Sequence, residues 1–176
     1  MVRFPGLFRR LAALTLRRLS PRSRLRRTLL RRNVLSGWCA YNRRDFELML
    51  VRYASQVEFE FPPGQQTLGL SGTFRGREAM AAALREQIEG WGSLEMELAY
   101  VLDLGDRALA LGFMHVRGGV SGVRLQGELG QLITAGPEGL AVRDQSWFSW
   151  EEALRAAGLD PDALALPRRR DAAHSS

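Results

Sequence analysis

Lysine is absent from this chain: all 25 basic residues are arginine, a bias expected of a GC-rich genome rather than of any particular chemistry. Cysteine occurs once, at Cys39, which excludes an internal disulfide. Histidine occurs twice, and no spacing of Cys and His suggests a metal site, so neither metal nor cofactor is expected. No apolar stretch approaches the roughly 20 residues needed to span a bilayer. The apolar run at residues 11–16 is bracketed by arginine pairs and too short for the core of a secretory signal, so a cytoplasmic location is the expectation. Gly72, Gly76 and the glycine-rich stretch 118–122 lack both the strand–loop–helix context and the lysine of a phosphate loop.

What is present points to one globular domain. A length of 176 residues with 45% hydrophobic residues suits a single core. Charge is divided unevenly. Residues 1–44 carry 13 arginines and no acid, whereas the remainder carries 12 arginines against 19 acids, giving +13 and −7. The pI near 10.8 therefore describes an arm, and a nucleic-acid partner is not expected of the domain.

Along the chain, Phe4, Leu7, Phe8, Leu11 and Leu14 recur at helical spacing among arginines. Residues 1–20 thus read either as a basic amphipathic helix able to lie weakly on an anionic membrane or as a disordered tail. A helix starting after Ser23 places Leu25, Leu29, Leu30, Val34, Trp38 and Tyr41 near one face. Asp45 is positioned to cap a short helix over 46–53. Residues 57–61 alternate as a strand, with Glu58 and Glu60 on its solvated face; 72–76 read as a turn and 77–91 as a helix. Four strands follow at 94–104, 107–117, 123–134 and 140–148, separated by tight turns, which makes an antiparallel meander. Ser149 can cap a last helix over 150–157, stopped by Gly158. The division expected is an arginine-rich extension over 1–29, a domain over 30–160 and a disordered tail over 161–176. Helices early and strands late indicate the α+β class.

Five segments resemble a known family. Trp38-Cys-Ala-Tyr-Asn-Arg-Arg-Asp-Phe46 is similar to the aromatic–x–x–aromatic–Asn–x–x–Asp–apolar opening of SnoaL-like domains, of the nuclear transport factor 2-like superfamily. Val57-Glu-Phe59 resembles their first strand, and Phe74-Arg-Gly-Arg-Glu78 the entry to their third helix. Leu104-Gly-Asp-Arg107 resembles their first long hairpin, and Trp150-Glu-Glu-Ala-Leu-Arg-Ala-Ala-Gly158 their closing helix. The resemblance implies a cone-shaped roll of about three N-terminal helices on a strongly curved, mostly antiparallel sheet. It also implies a largely apolar pocket and a homodimer formed through the sheet. The superfamily holds isomerases, cyclases, hydrolases, dehydratases and pure binding proteins, so fold alone does not decide activity.

A steroid-isomerase mechanism needs a carboxylate base and acidic donors to an enolate. The family's donor tyrosine falls on Gly37, its base on Phe59 or Phe61 and its second donor near Gly130, so all three roles are vacant. The remaining polar candidates are His115, Glu128, Gln131, Arg143 and Asp144. Period two puts His115 with Leu111 and Phe113: beside aromatics it is a candidate general base, or else it faces solvent or a dimer partner. Asp144, in phase with Val142, Ser146 and Phe148, is either a buried acid of raised pKa or a cross-strand partner of an arginine. The candidate catalytic residues are thus His115 and Asp144. The candidate pocket lining is Trp38, Tyr41, Phe59, Phe61, Phe74, Trp91, Phe113, Gln131 and Trp147, a make-up suited to a flat, hydrophobic small molecule. Two functions compete: a pocket domain that binds such a molecule, with or without acid/base catalysis, and a non-catalytic dimerisation or interaction module tethered by its basic arm.

Overall fold

The structure, a computed structural model, describes residues 19–21, 23–61, 72–90, 93–118 and 124–163. All but the last two residues of the helix expected over 1–20 and nearly all of the expected tail lie outside them.

Helix α1 (Arg24–Asn42) starts where Ser23 accepts a hydrogen bond from the Arg26 backbone N–H at 3.4 Å. It stops at Arg44, a non-glycine residue in the left-handed region at φ 61°. There the N–H groups of Arg44 and Asp45 return to the carbonyls of Tyr41 and Ala40, which closes the last turn. Asp45 then caps α2 (Phe46–Leu50) by accepting from Leu48 N–H at 3.0 Å. This helix is shorter than the 46–53 expected, because Tyr53 already opens β1 (Tyr53–Phe61) and pairs with Ala141. The residues expected as a turn form β2 (Gly72–Arg75), an edge strand opposite β1 with Phe74 against Phe59. Gly76, at φ 86°, makes the tight step into α3 (Arg77–Gly90).

The meander is β3 (Ser93–Asp103), β4 (Arg107–Arg117), β5 (Arg124–Ala135) and β6 (Ala141–Trp147). Helix α4 (Trp150–Ala156) follows, capped by Ser149 and ended by Gly158. The six strands form one sheet in the order β2-β1-β6-β5-β4-β3. Every neighbouring pair is antiparallel except β1–β6, which is parallel. Register shifts at Leu98/Tyr100, Thr134/Ala135 and Tyr53/Glu58 interrupt the ladders, and such bulges bend a strand. The sheet curves accordingly.

Both faces of this sheet are covered. On the concave face, Ala110, Met114, Leu129 and Phe59 pack with Val34, Trp38 and Tyr41 of α1 and with residues of α2 and α3. On the other face, Leu109, Leu111 and Leu132 pack under Trp150, Ala153 and Leu154 of α4. Two glycines allow close approach. A Cβ on Gly112 would lie 2.1 Å from the Glu97 carbonyl and 2.5 Å from the Trp38 ring; one on Gly130 would lie 2.3 Å from Ala153 Cβ.

Helix α1 begins inside the stretch expected to be an extension, and Arg26 is only 2% exposed. Its guanidinium donates to both Asp103 carboxylate oxygens at 2.6 and 2.9 Å, to the Leu19 carbonyl at 3.0 Å, and to the Gly105 carbonyl. This pair ties the start of α1 to the β3–β4 hairpin.

Candidate functional site

Between α1 and the concave face lies a cavity of about 130 Å³. Its wall is mainly apolar, and it reaches the surface beside Asp106, which lines it and is exposed. Strand alternation decides what faces it. On β5, Leu129, Gln131 and Ile133 point inward, whereas Gly130 and Leu132 meet α4. On β6 the bulge at Thr134/Ala135 shifts the phase, so Ala141, Asp144 and Ser146 line the cavity while Val142 is exposed.

Asp144 is the chemically distinctive group. It sits in a central strand opposite Ile133 on one side and Phe59 on the other, and is 2% exposed. Its Oδ2 accepts a 2.6 Å hydrogen bond from the Tyr53 hydroxyl. Its Oδ1 is buried with no hydrogen-bond partner, which among the described residues is true of no other buried side-chain atom. Burial pushes the carboxyl up from its ordinary 3.8 to about 6, and the Tyr53 hydrogen bond pulls partly against that. Burial, together with the charge of and hydrogen bond to Asp144, pushes the Tyr53 phenol well above its ordinary range. Tyr53 therefore stays protonated and serves as a donor. A carboxyl poised near 6 is largely ionised at neutral pH and still basic enough to accept a proton from a ligand.

The rest of the polar wall is held by hydrogen bonds. Trp38 Nε1 donates to Gln131 Oε1 at 2.6 Å, and the Tyr41 hydroxyl donates to Gln87 Oε1 at 3.0 Å. Burial moves the Tyr41 phenol above its usual range. Arg52 lines the cavity, donating to Asn33 Oδ1 at 3.1 Å, to the Leu48 carbonyl at 2.6 Å and to Ser36 Oγ. Burial lowers its pKa below the ordinary guanidinium range. Among the described residues no group of three His, Cys, Asp or Glu side chains is placed to hold a metal ion.

Of the residues expected at the site, Trp38, Tyr41, Phe59, Phe61, Gln131 and Asp144 line the cavity. His115 does not. It shares a face with Leu111 and Phe113 as its spacing requires, but that face is the outer one. There its Nε2 lies 3.1 Å from Glu97 Oε2, with the two side chains 39% and 55% exposed. Phe113 stacks on Trp150 with ring centres 5.0 Å apart, and Trp147 packs in the same outer cluster. Phe74 stands edge-on to Phe61 from the edge strand, one layer behind the wall. Trp91 lies outside the described residues.

Sequence reasoning missed Tyr53, Arg52 and Asn33. Tyr53 read as the end of a helix, and only its cross-sheet hydrogen bond to Asp144 shows its role. Ser146 was in phase with Asp144 but carried no signal of its own.

Comparison with known proteins fits this geometry. The profile of the SnoaL-like domain family matches residues 37–154. No curated protein sequence matches the chain. Among solved structures, TerC co-crystallised with polyporic acid is similar at 21% identity and a TM-score of 0.60, over 72% of this chain and 96% of that one. A nuclear transport factor 2-like protein of unknown function from Burkholderia pseudomallei is similar at 24% identity and a TM-score of 0.61, over 70% and 93%. SalBIII, an epoxide hydrolase/cyclase-like enzyme of pyran ring formation in salinomycin, is similar at 13% identity and a TM-score of 0.55, over 68% and 90%. At these identities the likeness is one of fold.

Proposed function

The chain belongs to the SnoaL-like domain family, and we propose that its cavity binds a small hydrophobic molecule on which Asp144 acts as a proton-transferring acid or base. One observation carries the reading: a buried carboxylate oxygen, Asp144 Oδ1, without a protein partner in a mainly apolar wall. An orphaned buried acceptor costs about 1–3 kcal/mol, and a ligand able to donate a proton or hydrogen bond to it recovers that energy. Tyr53 holds the other oxygen, which fixes the direction in which the free one is offered. Burial among mainly apolar groups keeps the pKa high, as acid/base chemistry at neutral pH requires. The reaction classes that fit are cyclisation, ring opening and double-bond shift, each needing one proton moved at a time. That one similar structure holds polyporic acid and another is an epoxide hydrolase/cyclase-like enzyme supports a small organic ligand.

The test is a thermal-shift screen of the whole chain against flat, hydrophobic metabolites, followed by turnover assays of whatever binds. A true ligand at a hundred times its Kd adds about 2.7 kcal/mol of stability. Turnover should fall about 10²- to 10⁴-fold in Asp144→Asn, and in the parent protein it should decline below about pH 6, where the carboxylate takes up a proton. A screen without hits, or turnover indifferent to Asp144→Asn, refutes the proposal.

A further inference from the structure

The outward side of α1 is unlike the rest of the surface. Five large hydrophobic side chains are exposed among the described residues, and three of them, Leu25, Leu29 and Leu35, belong to this one helix at 57%, 38% and 39% exposure. At about 3.6 residues per turn they share its outward half with Arg24, Arg27, Arg31 and Arg32, all exposed. The inward half carries Arg26, Val34, Gly37 and Tyr41, which are buried. A strip of about 16 Å, from Arg24 to Leu35, therefore exposes only leucine, arginine and Thr28.

Neither set of side chains stabilises the fold where it sits. The leucines leave apolar area in water. Among the described residues none of the four arginines enters an ion pair. The first turn of α1 holds no acid, so Arg24 and Arg27 stand at the positive end of the helix dipole, which repels them. No counter-charge is close in the chain: the first acids, Asp45 and Glu47, come after the far end of the helix. Asp103, which folding brings to its start, is taken by Arg26.

What covers this strip must be both anionic and apolar. A second copy of the chain would bring the same positive face, and residues 1–18 would add five arginines and no acid. A nucleic acid answers the arginines and leaves the leucines wet. An anionic bilayer answers both: its phosphates take the guanidinium groups while the leucines enter the acyl boundary. Such a contact lies on the surface, because no described helix is long and apolar enough to cross a membrane.

We propose that the outward face of α1 docks the domain on an anionic lipid surface, with Leu25 and Leu29 inserted and the flanking arginines on lipid phosphates. The contact belongs to a helix of the folded domain, beyond the residues 1–20 for which the sequence suggested one. Docking is independent of what fills the cavity, but it orients the domain. Leu30 and Asn33, which adjoin Leu29 on the helix, line the cavity, so the cavity wall begins at the edge of the docked strip.

The experiment is flotation of the full chain with vesicles of phosphatidylglycerol and phosphatidylcholine, against vesicles of phosphatidylcholine alone, at low and at physiological salt. Binding to the anionic vesicles only, weakened by salt, is the expected result. Two double variants isolate the face. All four side chains are exposed, and unfolding midpoints matching the parent's check that the fold is kept. Arg27→Gln with Arg31→Gln should weaken partitioning about thirtyfold, and Leu25→Gln with Leu29→Gln about tenfold at unchanged charge. Absence of binding to the anionic vesicles overturns the proposal. Binding that neither pair affects also overturns it, and assigns the contact to residues 1–18. Loss with the arginine pair alone overturns it too, and marks the face as a site for a soluble polyanion.

Discussion

Asp144→Asn should make this protein more stable at neutral pH while removing the proton transfer proposed for that residue. The carboxyl is fully buried, and burial moves its pKa from 3.8 to about 6. By linkage, a difference of that size corresponds to about 3 kcal/mol between the protonated and ionised forms of the folded protein. Because the folded pKa lies above the unfolded one, the favourable contribution is complete below about pH 3.8 and is lost as pH rises through about 6. At pH 7.5 the native state carries the whole penalty. Asparagine has the same shape and no charge, and the Tyr53 hydroxyl can still donate to its carbonyl. Its amide group faces the apolar wall without a partner, which costs about 1–3 kcal/mol. The net gain is therefore about 0–2 kcal/mol at pH 7.5, or up to about 8 °C in Tm for a chain of this size. Urea unfolding of both proteins at pH 4.5, 5.5, 6.5 and 7.5 measures it. The difference, variant minus parent, should climb through that series and level off above pH 7. A variant less stable than the parent at pH 7.5, or a difference that ignores pH, would refute the claim that the Asp144 carboxylate is held at a desolvation cost.

The partner of that carboxylate gives a complementary result. Tyr53→Phe removes the hydrogen bond that holds the Asp144 pKa down, so the pH below which turnover declines should move above about 6. The same change should cost about 1–3 kcal/mol at pH 7.5 and less at pH 5, as urea titrations at the two values would show. At the other end of α1, Arg26→Met strands the buried Asp103 carboxylate and should cost about 3–5 kcal/mol. Arg26→Met combined with Asp103→Leu should recover much of that loss, and unfolding midpoints of the single and double variants decide the matter.

Much of the scaffold was legible because its signals are local. Ser23, Asp45 and Ser149 each cap the helix that follows them, since a short side-chain oxygen satisfies a backbone N–H wherever it precedes a helical run. The strand at Arg107–Arg117 has the bounds its flanking turns dictate. Less local features were not legible. Gly72–Arg75 became a strand only because β1 offered it an edge, and Tyr53 left the helical pattern because β6 offered it a parallel partner. Arg26 sat in a run of arginines that differ in nothing but their surroundings, and only the fold brings Asp103 to it.

The site divides along the same line. Alternation in the chain establishes that Leu111, Phe113 and His115 share one side of a strand and that Asp144 and Ser146 share one side of another. It carries no information about which side is hollow, because α4 packs an apolar cluster on the outer face just as α1 does on the inner one. Bulges complicate the count further: the one beside Ala135 places Ala141 and Asp144 on the same wall although they are three residues apart. Most elements, the caps and the family were written in the residues themselves, through short-range hydrogen bonding and periodicity. The exclusion of His115 and the assembly of Tyr53, Asp144, Ser146 and Gln131 around one void were decided by sheet curvature and register, which are properties of strands meeting in space.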